Sequence, residues 1–296
     1  MIELQRLRYF IAVAEEEHVT RAAERLGIQQ PPLTRQIQQL EAALGTPLFE
    51  RLPRGVRLTD AGRALLGEAR AIVARAEGLA GVAQRAARGE EGALTVGYTS
   101  SGALHPVVSR DIRAFGRAWP GVAISLIEEG TPELVRALTE ERLDAAYVRA
   151  TTSDTSALLV EPLLEEAMVA ALPAEHPLAR GGTIALSDLA AETFVLYRRP
   201  AGPGLYDAII AACRVAGFSP TVGQEAPRIL STLSLVAAGV GVSIVPESLR
   251  RMNVEGVAYV DLAPGLTAPL LLATRRTGRS AATERFRGAV LAARAL

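Results

Sequence analysis

Between Leu4 and Leu44 three apolar stripes follow one another at helical spacing, too closely for anything but a small cluster of helices to bury them. Leu4, Leu7, Phe10, Ile11 and Ala14 share one face of a first helix. A second stripe, Val19, Ala22, Ala23 and Leu26, stops at Gly27, which permits the left-handed turn needed to reverse the chain. Pro31 and Pro32 suit the first turn of a third helix, where an amide has no intrahelical acceptor, and Leu33, Ile37, Leu40 and Leu44 complete its stripe. The spacing predicts a helix-turn-helix.

The outward side of the third helix carries Gln29, Gln30, Thr34, Arg35, Gln36 and Gln38. Amide and guanidinium groups form paired hydrogen bonds to base edges or phosphates, and a helix N-terminus offers free amides to a phosphate. The arrangement fits a recognition helix in a DNA major groove, braced by the second helix. The alternative is a plain helical cap with a solvated polar face. Gly45, Thr46 and Pro47 end the pattern, and Arg51, Arg54 and Arg57 follow in a turn-rich segment with Pro53 and Gly55. Such a segment reads as a wing whose arginines hold phosphates, or as a solvated basic loop.

Thr59 or Asp60 caps a long helix running to Ala87, with Leu65, Leu66, Ile72, Val73, Leu79 and Val82 along it. That stripe needs a cover, either the same helix of a second subunit or the chain's own later part. Arg88 to Gly92 then reads as a hinge. Beyond it the period shortens. Strands are expected at Leu94 to Tyr98, Val122 to Ile127, Asp144 to Val148, Leu158 to Leu172, Phe194 to Leu196, Val257 to Leu262 and Pro269 to Thr274, with helices between them and at the C-terminal end. Alternation of this kind predicts an α/β domain with ligand loops at its strand ends.

Composition limits the alternatives. The 296 residues carry no net formal charge, and all 32 basic side chains are arginines, so attraction to DNA has to come from local clusters. No apolar run is long enough for a bilayer and the N-terminus does not resemble a secretory leader, from which a cytoplasmic location without membrane contact is expected. Cys213, the single cysteine, excludes an intrachain disulfide and reads as a buried side chain rather than a catalytic thiol. His18, His105 and His176 are scattered, so no catalytic or metal site is expected. Gly239 and Gly241 follow a helix-like segment, which argues against a dinucleotide site and leaves no cofactor expected.

The segment LRYFIAVAEEEHVTRAAERLGIQQPPLTRQIQQLEAALGTPLFERLPRGVRLTDAG, Leu7 to Gly62, resembles the LysR-type transcriptional regulators of bacteria. LTVGYT at Leu94, RLDAAYVR at Arg142 and LVAAGVGVSIVP at Leu235 resemble landmarks of that family's effector domain, so the likeness covers nearly the whole chain. The resemblance implies a mixed fold: an N-terminal winged helix-turn-helix in residues 1–58, a dimerisation linker helix in 59–88, a hinge at 89–91, and a two-lobed α/β effector domain in 92–296 resembling periplasmic solute-binding proteins. Lobe one would take 92–161 and 256–296, and lobe two 162–255. It implies promoter DNA as a partner, a homodimer assembling into a homotetramer, and an activator's contact with RNA polymerase. Gln29, Gln30, Pro31, Pro32, Thr34, Arg35 and Gln36 would lie on or beside the reading surface, with Arg51 and Arg54 on phosphates.

The resemblance extends to the branch controlling aromatic hydrocarbon catabolism, responsive to benzoate or muconate. It assigns carboxylate recognition to Ser101, Thr131 and Arg149, with Ser100 beside them, and puts Tyr197, Arg198, Arg199 and Pro200 where a second lobe could close. Hydroxyls and helix N-termini at strand ends suit a small organic carboxylate, and Arg149 adds the charge. Each has a plainer reading: Ser100, Ser101 and Thr131 as helix caps, Arg149 in a structural ion pair, and the Tyr197 to Pro200 segment as exposed loop. A solute-binding module without promoter regulation is the alternative function.

Overall fold

Phe10 closes the first core. In the computed structural model, which describes residues 2–150 and 154–294, the chain divides into two compact units, Met1–Gln84 and Arg85–Leu296. The first unit contains α1 (Leu4–Glu16), α2 (Val19–Leu26), α3 (Gln30–Leu44), a hairpin of β1 (Phe49–Leu52) and β2 (Gly55–Leu58), and most of α4 (Asp60–Ala87). Phe10, Ala22, Leu33 and Leu40 are fully buried together, and the ring of Phe10 tilts against Phe49 at 5.4 Å. Each such large apolar side chain contributes about 1.5–3 kcal/mol on leaving water.

The hairpin is pinned to the end of α1. Val56 donates its amide to the Glu17 carbonyl at 2.9 Å, and Gly55, at φ +115°, approaches so closely that a Cβ there would stand 2.4 Å from that oxygen. Thr59 caps α4, its Oγ1 accepting the Gly62 amide at 3.0 Å, and Asp60 is the first helical residue. The apolar stripe of α4 splits along its length. Ala69 and Val73 join the winged core, whereas Ile72, Leu79 and Val82 are exposed in the single chain.

The second unit runs β3 (Glu91–Tyr98), α5 (Ser100–Ala103), α6 (Pro106–Ala118), β4 (Gly121–Glu128), α7 (Thr131–Thr139), β5 (Ala145–Val148), β6 (Leu158–Pro173), β7 (Thr183–Ile184), β8 (Thr193–Tyr197), α8 (Pro203–Val215), β9 (Thr221–Ala226), α9 (Ile229–Ala237), β10 (Ser243–Pro246), β11 (Val257–Arg275) and α10 (Ala281–Ala292). Its main sheet has the order β10-β6-β11-β5-β3-β4, with β7 on β11, while β8 and β9 pair separately and in parallel. β3 is parallel to both β4 and β5, and the long β6 and β11 run antiparallel to each other through both lobes.

Two cores result. Leu94, Val96, Phe115, Tyr147, Leu272 and Phe286 fill the first, with Phe115 and Phe286 edge to face at 5.2 Å. Met168, Phe194, Ile209, Cys213, Leu233 and Ile244 fill the second. Burial there pushes the Cys213 thiol up to about 11, well away from a reactive thiolate.

Three expectations change. The two strands expected at 257–262 and 269–274 are one, β11, with a register shift between Asp261 and Leu266. The return to lobe one consequently lies later than residue 256, because Val260, Leu262 and Ala268 still pack in the second core and Leu270 is the first to join the other. The outgoing crossing likewise lies inside β6, since Leu163 belongs to the first core and Met168 to the second. Glu91 already belongs to β3, and Arg285 donates to the Arg88 carbonyl at 2.7 Å. Finally, β9 carried no sequence signal, because TVGQEA is mostly exposed and lacks alternation.

Candidate effector cleft and DNA-reading surface

Parallel strands deliver their following loops to one edge of a sheet, which is where open α/β sheets hold ligands. Thr99 follows β3, Gly130 follows β4, Arg149 follows β5 and Tyr197 ends β8. All four border one cavity of about 50 Å³ between the lobes, together with Arg228 and Ile229 at the start of α9. The N-termini of α7, α8 and α9 therefore open onto the same space, and their unpaired amides favour negative charge there.

Arg149 forms the floor and is 2% exposed. Its Nη2 binds the buried carboxylate of Glu166, its Nε donates to Ser101 Oγ at 3.3 Å, and its Nη1 is buried with no partner among the described residues. Glu166 takes a further hydrogen bond from the Ser248 amide at 2.8 Å. Arg149 is thus both a structural ion pair and the holder of one unspent, charged donor. An unpaired buried donor of this type costs about 1–3 kcal/mol and is relieved by an acceptor that reaches it.

The remaining side chains sort by strand geometry. Ser101 and Thr131 are buried on the cavity wall. Ser100 also borders it, but its hydroxyl turns to Glu128 Oε1 at 2.6 Å. None of the three is a helix cap: Thr99 caps α5, accepting the Gly102 amide at 3.1 Å, and Gly130 precedes α7, with Thr131 as its first residue. Tyr197 is buried on the wall, donating its hydroxyl to the Gly202 carbonyl at 2.8 Å, and burial raises its phenol pKa. Arg198 and Pro200 do not reach this cavity. Both are exposed in a groove beside it, because the strand ends at Tyr197 and the chain turns outward through the short helix Arg199–Ala201. Arg199 is engaged with Asp207 at 2.7 Å.

Sequence reasoning missed the acidic and closing groups. Arg228 reaches across from the second lobe to Glu128 at 3.5 Å and Glu129 at 3.7 Å. Glu166 was the more legible omission, since a carboxylate inside an apolar strand run calls for a buried partner.

On the other unit, Gln29, Gln30, Pro31, Pro32 and Arg35 are exposed around the start of α3. Thr34 and Gln36 are half-buried, and Gln36 Oε1 accepts from Arg6 Nε at 3.0 Å, which leaves its amide nitrogen outward-donating capacity. Arg51 on β1 and Arg54 in the hairpin turn are exposed and, like Arg35, form no ion pair among the described residues. Arg57 is already bound to Glu50 at 2.8 Å.

These features have counterparts in known proteins. Residues 4–63 match the lysR family of bacterial regulatory helix-turn-helix proteins, and residues 87–295 match the LysR substrate binding domain. The chain is 38% identical to the HTH-type transcriptional regulator BudR of Raoultella terrigena, over 96% of this chain and 99% of that protein. It is 40% identical to the uncharacterized HTH-type transcriptional regulator YnfL of Escherichia coli, over 88% of each. The structure of full-length CbnR complexed with its target DNA superposes with a TM-score of 0.82 at 30% identity, covering 98% of this chain and 99% of that one. The chain belongs to the LysR family of DNA-binding transcriptional regulators, with an N-terminal helix-turn-helix, a linker helix and a two-lobed α/β effector domain for a small molecule.

Proposed function

We propose that this regulator binds its promoter through α3 and the hairpin, and that a small organic carboxylate seated on Arg149 changes that interaction. The observation carrying the ligand class is the buried, unpartnered Nη1 of Arg149, a residue that borders the cavity on which helix N-termini open. Gln29, Gln30, Arg35 and Gln36 read base edges beside Pro31, Pro32 and Thr34, and Arg51 and Arg54 hold phosphates. The likeness of Ser101, Thr131 and Arg149 to the aromatic-catabolism branch nominates benzoate or muconate.

Footprinting the DNA upstream of the gene with acetate, benzoate and cis,cis-muconate tests both parts. A footprint whose hypersensitive bands shift with one acid supports the reading and names the acid. A footprint indifferent to every acid removes the ligand class, and binding of an acid without any specific footprint across the genome leaves only the solute-binding alternative.

For the wing, Arg54→Ala is expected to lower affinity alike on all sequences and to reduce the slope of log affinity against log salt by about 0.9. A changed base preference with an unchanged salt slope would assign Arg54 to base reading instead. The dimer is proposed to form along α4, where Leu79 is 65% exposed in an apolar stripe with Ile72 and Val82, and two dimers to assemble into a tetramer that positions RNA polymerase. Leu79→Glu is then expected to drop the scattering mass by at least half, and an unchanged mass removes α4 from the interface.

A further inference from the structure

On the far side of the Arg149–Glu166 pair, an open cavity of about 360 Å³ is surrounded by His105, Glu166, Glu247, Ser248, Arg250 and Arg251. It joins the loop before α6 to the short turn of helix Glu247–Met252 that follows β10. Nothing in the effector cleft explains its chemistry. Ser248 is 6% exposed and its hydroxyl, although buried, has no hydrogen-bond partner among the described residues. Arg250 holds Asp261 through Nη2, while its Nε is buried and likewise unpartnered. Arg251 is exposed and forms no ion pair among the described residues. His105 accepts the Val107 amide on Nδ1 at 3.3 Å, which puts the ring proton on Nε2.

These groups leave an unspent set of donors: one hydroxyl, one imidazole N–H, the Nε of Arg250 and the guanidinium of Arg251. The acids facing them are mostly occupied. Glu166 is neutralised by Arg149 and Asp261 by Arg250, which leaves Glu247 as the only acid on this wall without an ion pair among the described residues. We propose that this cavity is a second binding site, for a small singly charged anion of the carboxylate or phosphate type, held by Ser248, Arg250 and Arg251. Glu247 disfavours a more highly charged occupant. The site does not depend on what the first cleft binds.

Calorimetric titration of the full-length protein with inorganic phosphate and, separately, with acetate at constant ionic strength tests it. Wild type is compared with Ser248→Ala, Arg251→Gln and Arg214→Gln, the last an exposed arginine of α8 that does not border this cavity. One of the two anions is expected to bind saturably, and Ser248→Ala and Arg251→Gln each to weaken it roughly tenfold, the size of one lost hydrogen bond to a charge, with Arg214→Gln neutral. The anion that responds identifies the chemistry. Absence of saturable binding by either anion overturns the site. So does a signal untouched by Ser248→Ala and Arg251→Gln, which would belong elsewhere, the effector cleft included, and so does one that all three variants reduce alike. Should Ser248→Ala fail to fold, the contrast between Arg251→Gln and Arg214→Gln decides, because both are surface changes.

Discussion

Arg149→Met is expected to abolish the carboxylate response and to destabilise the effector unit by about 3–5 kcal/mol, while leaving specific DNA binding in place. The methionine keeps much of the buried stem but removes the group that neutralises Glu166, itself only 4% exposed and otherwise held by the Ser248 amide. An unpaired buried carboxylate is the costly outcome, more so than the loss of the pair's attraction. The single tryptophan, Trp119, packs against Phe115 at 4.8 Å within the effector unit, so its fluorescence in a urea titration follows that unit. Adding Glu166→Met to Arg149→Met is expected to restore most of the stability and none of the response. A single variant that still responds to the acid would remove Arg149 from the ligand site. α3 and the hairpin belong to the other unit, so loss of the footprint as well would mean that Arg149 acts on DNA binding without any ligand.

Gly204→Ala should hold the cleft open. Gly204 is the second residue of α8 in the second lobe, and a Cβ there would lie 1.9 Å from the carbonyl oxygen of Ala150, which follows Arg149 in the first. The obstacle is backbone and cannot rotate aside, so the lobes must move apart by the width of a methyl group. Arg149 and the N-termini of α8 and α9 then no longer converge, and affinity for the carboxylate is expected to fall more than tenfold. Overpacking of this kind costs about 1–3 kcal/mol. Gly116→Ala in α6 is the control, since its Cβ would meet only Ile124 Cδ1 at an ordinary 3.6 Å. Wild-type affinity in Gly204→Ala would mean that closure at this contact plays no part in binding.

The two units differ in how much of them could be read in advance. The winged unit is local: its stripes, its turn glycines and its cap at Thr59 all act within a few residues of one another, and each was legible. The cleft is assembled from residues far apart in the chain. The family resemblance, with hydroxyls at strand ends, pointed to Ser101, Thr131 and Arg149, and to Tyr197 where a second lobe could close, and all four border the cavity. Arg198 and Pro200, expected beside Tyr197 where a second lobe could close, face elsewhere, because the chain turns out of the strand after Tyr197. Glu166 and Arg228 were missed, since nothing near them in the chain names the partner each one meets.

The amino-acid sequence by itself determined the three close-set helices, the long linker helix and the alternation of strands and helices, because helical and strand periods are properties of neighbouring residues. Only the tertiary structure decided where β6 and β11 pass from one core to the other, that half of the α4 stripe is covered by its own unit, and that Arg149 spends one side of its guanidinium on Glu166 and keeps an N–H in reserve. Those outcomes depend on which distant groups meet once the lobes have packed. A buried charge is satisfied, or left waiting for a ligand, only after that packing is complete.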